Sequence, residues 1–408
     1  MAYSHTIQLE LLDPDGAATI IDTFDGYDII LDCFHPGSPF TLNLWRSVSR
    51  RSTWAILRSK VKVGMGVLIR IDGAVQMNGS IEQLVEPIDR KGGAQLVISG
   101  RDLSARAMAW DASPNVSFVG LNLEDAISRL YADLNIEVVV GADANYARDV
   151  QAGTLRGTAA TAARRRGHRS KVVNRAHPRS GEKVWQVAET MIRRAGLFQW
   201  IAPIEGRDTM AVILDRYDYK SPVKYTFARR TIPSSGALTG NILASQHTIS
   251  TRDVPTHVRV YGHCARGDKY SFRYNPLIEN RYLKIDEVTR GRVVNPHPLQ
   301  PKYVKSQRAR TFEEGAQEAE RIIARAMMGF RRVEVTVQGH GQTDSQGRMV
   351  LYAINTTAQL LDEVLGLNEK MFVQRVQFQG SRQRGSTTHI TLIPLLAVQL
   401  THGVTEGI

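Results

Sequence analysis

Between Ser180 and Leu214 the apolar residues change from a helical to a strand spacing within one short stretch, SGEKVWQVAETMIRRAGLFQWIAPIEGRDTMAVIL. Val184, Val187, Ala188, Met191, Ile192 and Ala195 fall three and four apart, which puts them on one stripe of a helix. Ser180 is placed to cap that helix, Glu182 falls in its first turn, Arg193 and Arg194 in its last, and Gly196 supplies the left-handed residue that stops it. Leu197–Ile201 then reads as a strand, Glu205-Gly206 as a turn and Met210–Leu214 as the returning strand. The result is a helix on a hairpin, a small α/β module and not by itself an active site.

Residues 6–104 read as β structure. Ile7, Leu9 and Leu11 alternate with Gln8 and Glu10, and Ile69 and Ile71 flank Arg70, so one face of each strand is buried. Asp72-Gly73, Asn78-Gly79 and Lys91-Gly92-Gly93 read as turns between strands that include Ile81–Val85 and Gln95–Ser99. From Leu121 to Val140 the period is helical, with Leu123, Ile127, Leu130 and Leu134 on one face, Asn122 at the start, Asn135 at the end and Ile136–Val140 as a following strand. Tyr146–Arg179 has few large apolar residues and reads as a linker or exposed loop. Pro233–Gly240 marks a boundary, after which Val258–Tyr261, Arg331–Gln338, Phe372–Phe378 and Thr387–Leu395 read as strands and Phe312–Met328 as a helix. The expected fold is α+β, with two antiparallel β-barrel-like domains and two small α/β modules between them. The expected boundaries are 1–104 for the first barrel, 105–145 for one module, 146–179 for the basic linker and 180–232 for the second module. The second barrel takes 233–408, with a helical insertion around 311–329.

Composition narrows the class. At 408 residues, 42% hydrophobic and 23% charged, the chain is globular and long enough for roughly two to four domains. No run approaches the ~18 apolar residues of a membrane helix, and Met1–Glu10 is polar without an apolar core, so neither membrane insertion nor a secretory leader is expected and folding in a cytoplasm is. Cys33 and Cys264 are far apart and lack a CxxC partner, which argues against a disulfide framework or a zinc ribbon. The net charge of +12 is unevenly spread, because 156–183 carries nine Lys and Arg against Glu182 alone.

The catalytic patterns are absent from the sequence: there is no Gly-x-Ser-x-Gly elbow, His-Glu-x-x-His, phosphate-binding Gly-x4-Gly-Lys loop or zinc spacing. Glu124-Asp125 and Glu313-Glu314 fall on helix surfaces, where carboxylates are solvated; His297 sits in an extended Asn-Pro-His-Pro loop, and Arg266-Gly267-Asp268 makes a turn. No catalytic residue, metal ligand or cofactor is expected. The candidate contact residues are Arg164, Arg165, Arg166, His168, Arg169 and Lys171. Such a cluster suits DNA phosphates, an acidic protein surface or plain solvation; against the first, no aromatic for base stacking lies between Arg156 and Lys183. Trp185 and Trp200 read as packing residues.

Three stretches carry a family resemblance. QLVISGRDLS at 95–104 looks like the strand and Gly-Arg turn that close a first barrel, Val184–Val187 leading to Ala195–Trp200 is similar to a central module, and Arg331–Gly339 with Phe372–Leu395 is similar to the strands of a second barrel. In this order they resemble the baseplate hub proteins of contractile phage tails, the late control D and Mu-like hub family, with relatives in type VI secretion spikes. The resemblance implies a homotrimer in the virion tail baseplate, assembled in the host cytoplasm. Two barrels per chain would give six around a ring, adapting a sixfold tail tube to a threefold central spike. The implied role is structural and not enzymatic: the ring joins the tail tube protein to the central spike protein and lines the channel through which DNA passes. Wedge, sheath or tape measure proteins are further implied partners. The alternatives are a tail-associated peptidoglycan hydrolase and a nucleic-acid-binding protein using the 156–183 basic segment.

Overall fold

In the computed structural model the described residues are 5–12, 19–22, 24–46, 54, 58–89, 93–118, 121, 123–141, 177–194, 197–204, 209–232, 234–261, 277–279, 301–305, 312–344, 346–381 and 385–401. Strands prevail and helices are few, an α+β chain with β predominant. Two compact units are formed. The first is Met1–Tyr217 with Thr336–Asn355 and Gln374–Ile390; the second is Asp218–Val335 with Thr356–Val373 and Thr391–Ile408.

The first unit opens with β1 (Ile7–Leu12), β2 (Thr19–Ile21), β3 (Gly26–Asp32), β4 (Pro39–Trp45), β5 (Gly66–Ile71), β6 (Ala74–Val85), β7 (Ile88–Asp89) and β8 (Gly93–Asp102). Their order is β3-β4-β8-β6-β5-β1-β2 with antiparallel neighbours. The alternation read from the sequence is the burial pattern itself, since Ile7, Leu9, Leu11, Ile69 and Ile71 are all buried. Asp72 and Gly73 take φ of 51° and 82° and make the two-residue hairpin between β5 and β6, as expected. Asn78-Gly79 is different: it lies inside β6, not at a turn. Gly79 pairs with Asp102, and a Cβ there would lie 2.9 Å from the Arg101 carbonyl carbon and closer still to its oxygen, so the glycine serves a close approach of two backbones.

The α/β part of this unit follows with α1 (Leu103–Ala109), α2 (Leu123–Tyr131), β9 (Val138–Val140), α3 (Val184–Arg194), β10 (Phe198–Pro203) and β11 (Met210–Asp215). The two modules share one sheet, because β11 pairs antiparallel with β10 and parallel with β9. Helices and sheet close on a common core that includes Ile127, Leu130, Val187, Met191, Val212 and Leu214, together with Leu68 of β5 and Val75 of β6. Each such side chain removed from water is worth about 1.5–3 kcal/mol. Asn135 ends the turn after α2 in the left-handed conformation, as expected. The start of α3 departs from expectation. Ser180 and Glu182 precede the helix, because the backbone at 182–184 is used in extended pairing: Ala112 N–H donates to the Glu182 carbonyl at 2.8 Å and Val184 N–H to the Trp110 carbonyl at 3.0 Å. Gly196 lies outside the described residues. Trp185, Trp200 and Cys33 are buried packing residues.

The second unit contains β12 (Tyr225–Thr231), β13 (Leu238–Gly240), β14 (Ile242–Ile249), β15 (His257–Tyr261), β16 (Leu277–Glu279), β17 (Pro301–Lys305), α4 (Phe312–Phe330) and the start of β18 (Arg331–Gln338). After β18 the chain makes the small hairpin β19 (Gly341–Thr343) and β20 (Met349–Leu351) in the first unit, and then β21 (Thr356–Asp362), β22 (Leu367–Ser381), β23 (Gly385–Pro394) and α5 (Leu395–Thr401). In the second unit β21 lies between β12, to which it is parallel, and the first half of β22, to which it is antiparallel. β15 is central to the separate sheet β16-β15-β17, and α4 lies on that sheet through Ala319, Ile323, Ala324 and Met327. The second half of β22 belongs to the first unit, where Arg375↔Asp32 to Ser381↔Gly26 pair it antiparallel with β3.

Candidate functional site

Arg164, Arg165, Arg166, His168, Arg169 and Lys171 lie outside the described residues, as do His297 and Arg266-Gly267-Asp268. Glu124 and Asp125 sit in the first turn of α2. Among the described residues no three His, Cys, Asp or Glu side chains are arranged to hold a metal ion, and no helix is long and apolar enough to cross a membrane.

The densest polar constellation belongs to the first unit and was invisible in the sequence. His340, between β18 and β19, is fully buried. Its main-chain N–H donates to His5 Nε2 at 3.0 Å, so the His5 proton sits on Nδ1, 2.6 Å from Asp72 Oδ2. Asp72 is held in turn by the hairpin between β5 and β6, where its other oxygen accepts Thr6 N–H at 2.9 Å. Thr388 donates its hydroxyl to the Gly339 carbonyl at 2.6 Å, which leaves its oxygen to accept from His340 Nδ1 at 2.9 Å. His340 is therefore the Nδ1–H tautomer, and its bare Nε2 accepts the Tyr27 hydroxyl at 2.7 Å. The Tyr27 oxygen is left to accept from Ser386 at 3.0 Å.

The imidazoles of His5 and His340 stack with centroids 4.4 Å apart, and Phe378 presents its edge to His340 at 5.1 Å. Burial, and then the neighbouring His5 ring, push His340 down to about 3, while burial pushes the Tyr27 phenol up. The hydroxyl hydrogens of Tyr27 and Thr388 and both His340 ring nitrogens are committed to internal partners. Such a network fixes β1, β3, the β18–β19 connection and β23 in one register and presents no nucleophile to a substrate.

Two ion pairs do the same in the second unit. Arg229 grips Asp362 with Nε and Nη2 at 3.1 and 2.6 Å, and Asp362 also accepts the main-chain N–H groups of Val364 and Leu365. Arg331 holds Glu369 with both terminal nitrogens and gives its Nε–H to His247 Nε2 at 3.0 Å. Bidentate pairs of this kind fix direction as well as distance. Among the described residues β13 is paired by β12 alone and exposes Leu238, and β2 is paired by β1 alone and exposes Ile20, so both are edge strands. Edges of this kind are templates for pairing with another chain.

No protein-family model matches the chain, and no curated protein matches it in sequence. Solved structures do match it. The tail protein from Neisseria meningitidis MC58 is 19% identical with a TM-score of 0.67, covering 96% of this chain and 96% of that one. The 43 kDa tail protein of prophage MuSo2 from Shewanella oneidensis is 15% identical with a TM-score of 0.68, covering 97% and 99%. Prophage tail protein gp18 from Listeria monocytogenes EGD-e is 10% identical with a TM-score of 0.51, covering 97% and 98%. At these identities the likeness is one of fold, and along nearly all of its length the chain has the fold of the Neisseria and MuSo2 tail proteins.

Proposed function

We infer that the protein is a structural component of a phage tail, and within it the baseplate hub: a homotrimeric ring between the tail tube and the central spike. The observation that carries this reading is the extent of the likeness, which takes in 96% or more of both this chain and the Neisseria and MuSo2 tail proteins. The step from that fold to a role is one of analogy over the whole chain, not of a site grafted on it. The inward-turned polar networks are consistent with a load-bearing part. The open edges at β2 and β13 are where neighbouring copies would pair, since a closed cyclic assembly leaves no edge bare. Three chains with two β domains each would present six similar domains to the tube and threefold symmetry to the spike. In this reading the role is mechanical, and Arg164, Arg165, Arg166, His168, Arg169 and Lys171 contact a wedge, sheath or tape measure protein or the DNA in the channel.

Electron microscopy of the purified chain tests the reading. Averaged end views are expected to show a threefold ring with a central hole, and light scattering at micromolar concentration a mass of three chains. A stable monomer in both would sink it.

A further inference from the structure

In the sheet β16-β15-β17 one face is closed by α4, where Val258 and Val260 are fully buried. Alternation along the strand turns His257, Arg259 and Tyr261 to the other face. The register places Tyr303 and Leu277 on either side of Arg259, and Lys305 beside Tyr261. Two cations and two phenol rings therefore alternate across a small area, with Glu279 at the far end opposite His257. The rings of Tyr261 and Tyr303 are tilted by 30° with centroids 6.3 Å apart. Tyr303 is 61% and Leu277 47% exposed, on the two strands that flank β15. Arg259 Nε is buried and has no hydrogen-bond partner, a donor lacking an acceptor.

Charge points the same way. Residues 257–311 contain twelve Lys and Arg against four Asp and Glu, an excess of eight. The 156–183 stretch has the same excess, so outside these two segments the chain is acidic by four against its total of +12. An acidic protein surface would satisfy the cations alone; the exposed Tyr303 ring beside the half-buried Tyr261 adds a stacking face among them. Stacking rings interleaved with cations suit unpaired bases on a charged backbone, whereas a duplex keeps its bases stacked on each other.

We propose that the outer face of β16-β15-β17 binds a single strand of nucleic acid, with bases stacking on Tyr261 and Tyr303 and phosphate or base oxygens taken by Arg259 and Lys305. This goes beyond the structural role and does not depend on it.

The test is fluorescence anisotropy of a labelled oligo(dT) with the full chain at low salt, in the parent and in an Arg164→Ala, Arg165→Ala, Arg166→Ala background that removes the other basic cluster. In both, Tyr261→Ala with Tyr303→Ala is expected to weaken binding by about tenfold or more, and Tyr303→Phe to leave it within about twofold. Arg259→Gln and Lys305→Gln should each lower the slope of log K against log salt by about 0.7. Tyr303→Ala alone, at an exposed position, serves if the double variant does not fold. The proposal is overturned if the parent does not bind oligo(dT), or if a duplex binds as tightly and the tyrosine variants bind as the parent does. It is also overturned if Tyr303→Ala changes the oligomeric mass while oligo(dT) binding stays the same, which would make the face a contact between copies.

Discussion

Lowering the pH puts the His340 network under a load that can be calculated. In the folded chain burial holds the imidazole down to about 3, against an ordinary value of 6.5. Between those values the unfolded chain binds one more proton than the folded one, so stability falls with pH at about 1.4 kcal/mol per unit. The contribution is intact above about pH 6.5 and disappears progressively as the pH drops toward about 3. At about pH 4.5 the deficit relative to about pH 7.5 is about 2.6 kcal/mol, and it changes little for any folded value below about 4. All five tryptophans, Trp45, Trp54, Trp110, Trp185 and Trp200, belong to the same unit as His340, so urea unfolding followed by tryptophan fluorescence reports on that unit. The comparison is with His340→Gln, whose amide donates to Thr388 and accepts from Tyr27 but takes up no proton. Carboxylates titrate equally in both chains and cancel. The variant should lose about 2–3 kcal/mol less than the parent over that pH range. If both lose the same amount, His340 is not held neutral by its surroundings and the argument fails.

Two further perturbations probe the frame. Gly79→Ala drives a methyl group into the Arg101 backbone and should cost about 1–3 kcal/mol in the same tryptophan-monitored unfolding; an unchanged midpoint would show that the β6–β8 ladder yields there. Asp362→Asn removes the anion opposite Arg229 at a side chain that is 0% exposed, so a loss of about 3–5 kcal/mol is expected by calorimetry. A loss below about 1 kcal/mol would mean that the main-chain donors of Val364 and Leu365, not the arginine, hold that loop.

What the sequence made legible was local. Arg331–Gln338 alternates apolar and polar residues and is a strand with that same alternation of burial; the stripe from Val184 to Ile192 is a helix with that stripe inside. Asn78-Gly79 was misread because the turn signature and the close-approach glycine look alike until the partner, Arg101, is known. Lys183 in place of Ser180 at the start of α3 has the same origin, since the pairing with Asp111 spans distant residues. The His340 network could not be seen at all: Tyr27 and His340 are separated by 313 positions, and no periodicity marks either. The cations around β15 escaped notice because they are spread among strands, whereas those of 164–171 are consecutive. The latter lie outside the described residues, so the compact cluster remains a matter of sequence.

The first unit takes its strands from three separate stretches of chain, and β3 receives its outer neighbour only from Gln374–Ser381. On a ribosome this becomes a matter of timing. At about 5–20 residues per second, Tyr217 is made roughly ten to thirty seconds before Ile390. Throughout that interval β3 offers an unpaired edge to any other nascent copy. A chain that stops in this window lacks the strand that covers that edge. Nearly the whole chain must therefore be made before this unit has all of its strands.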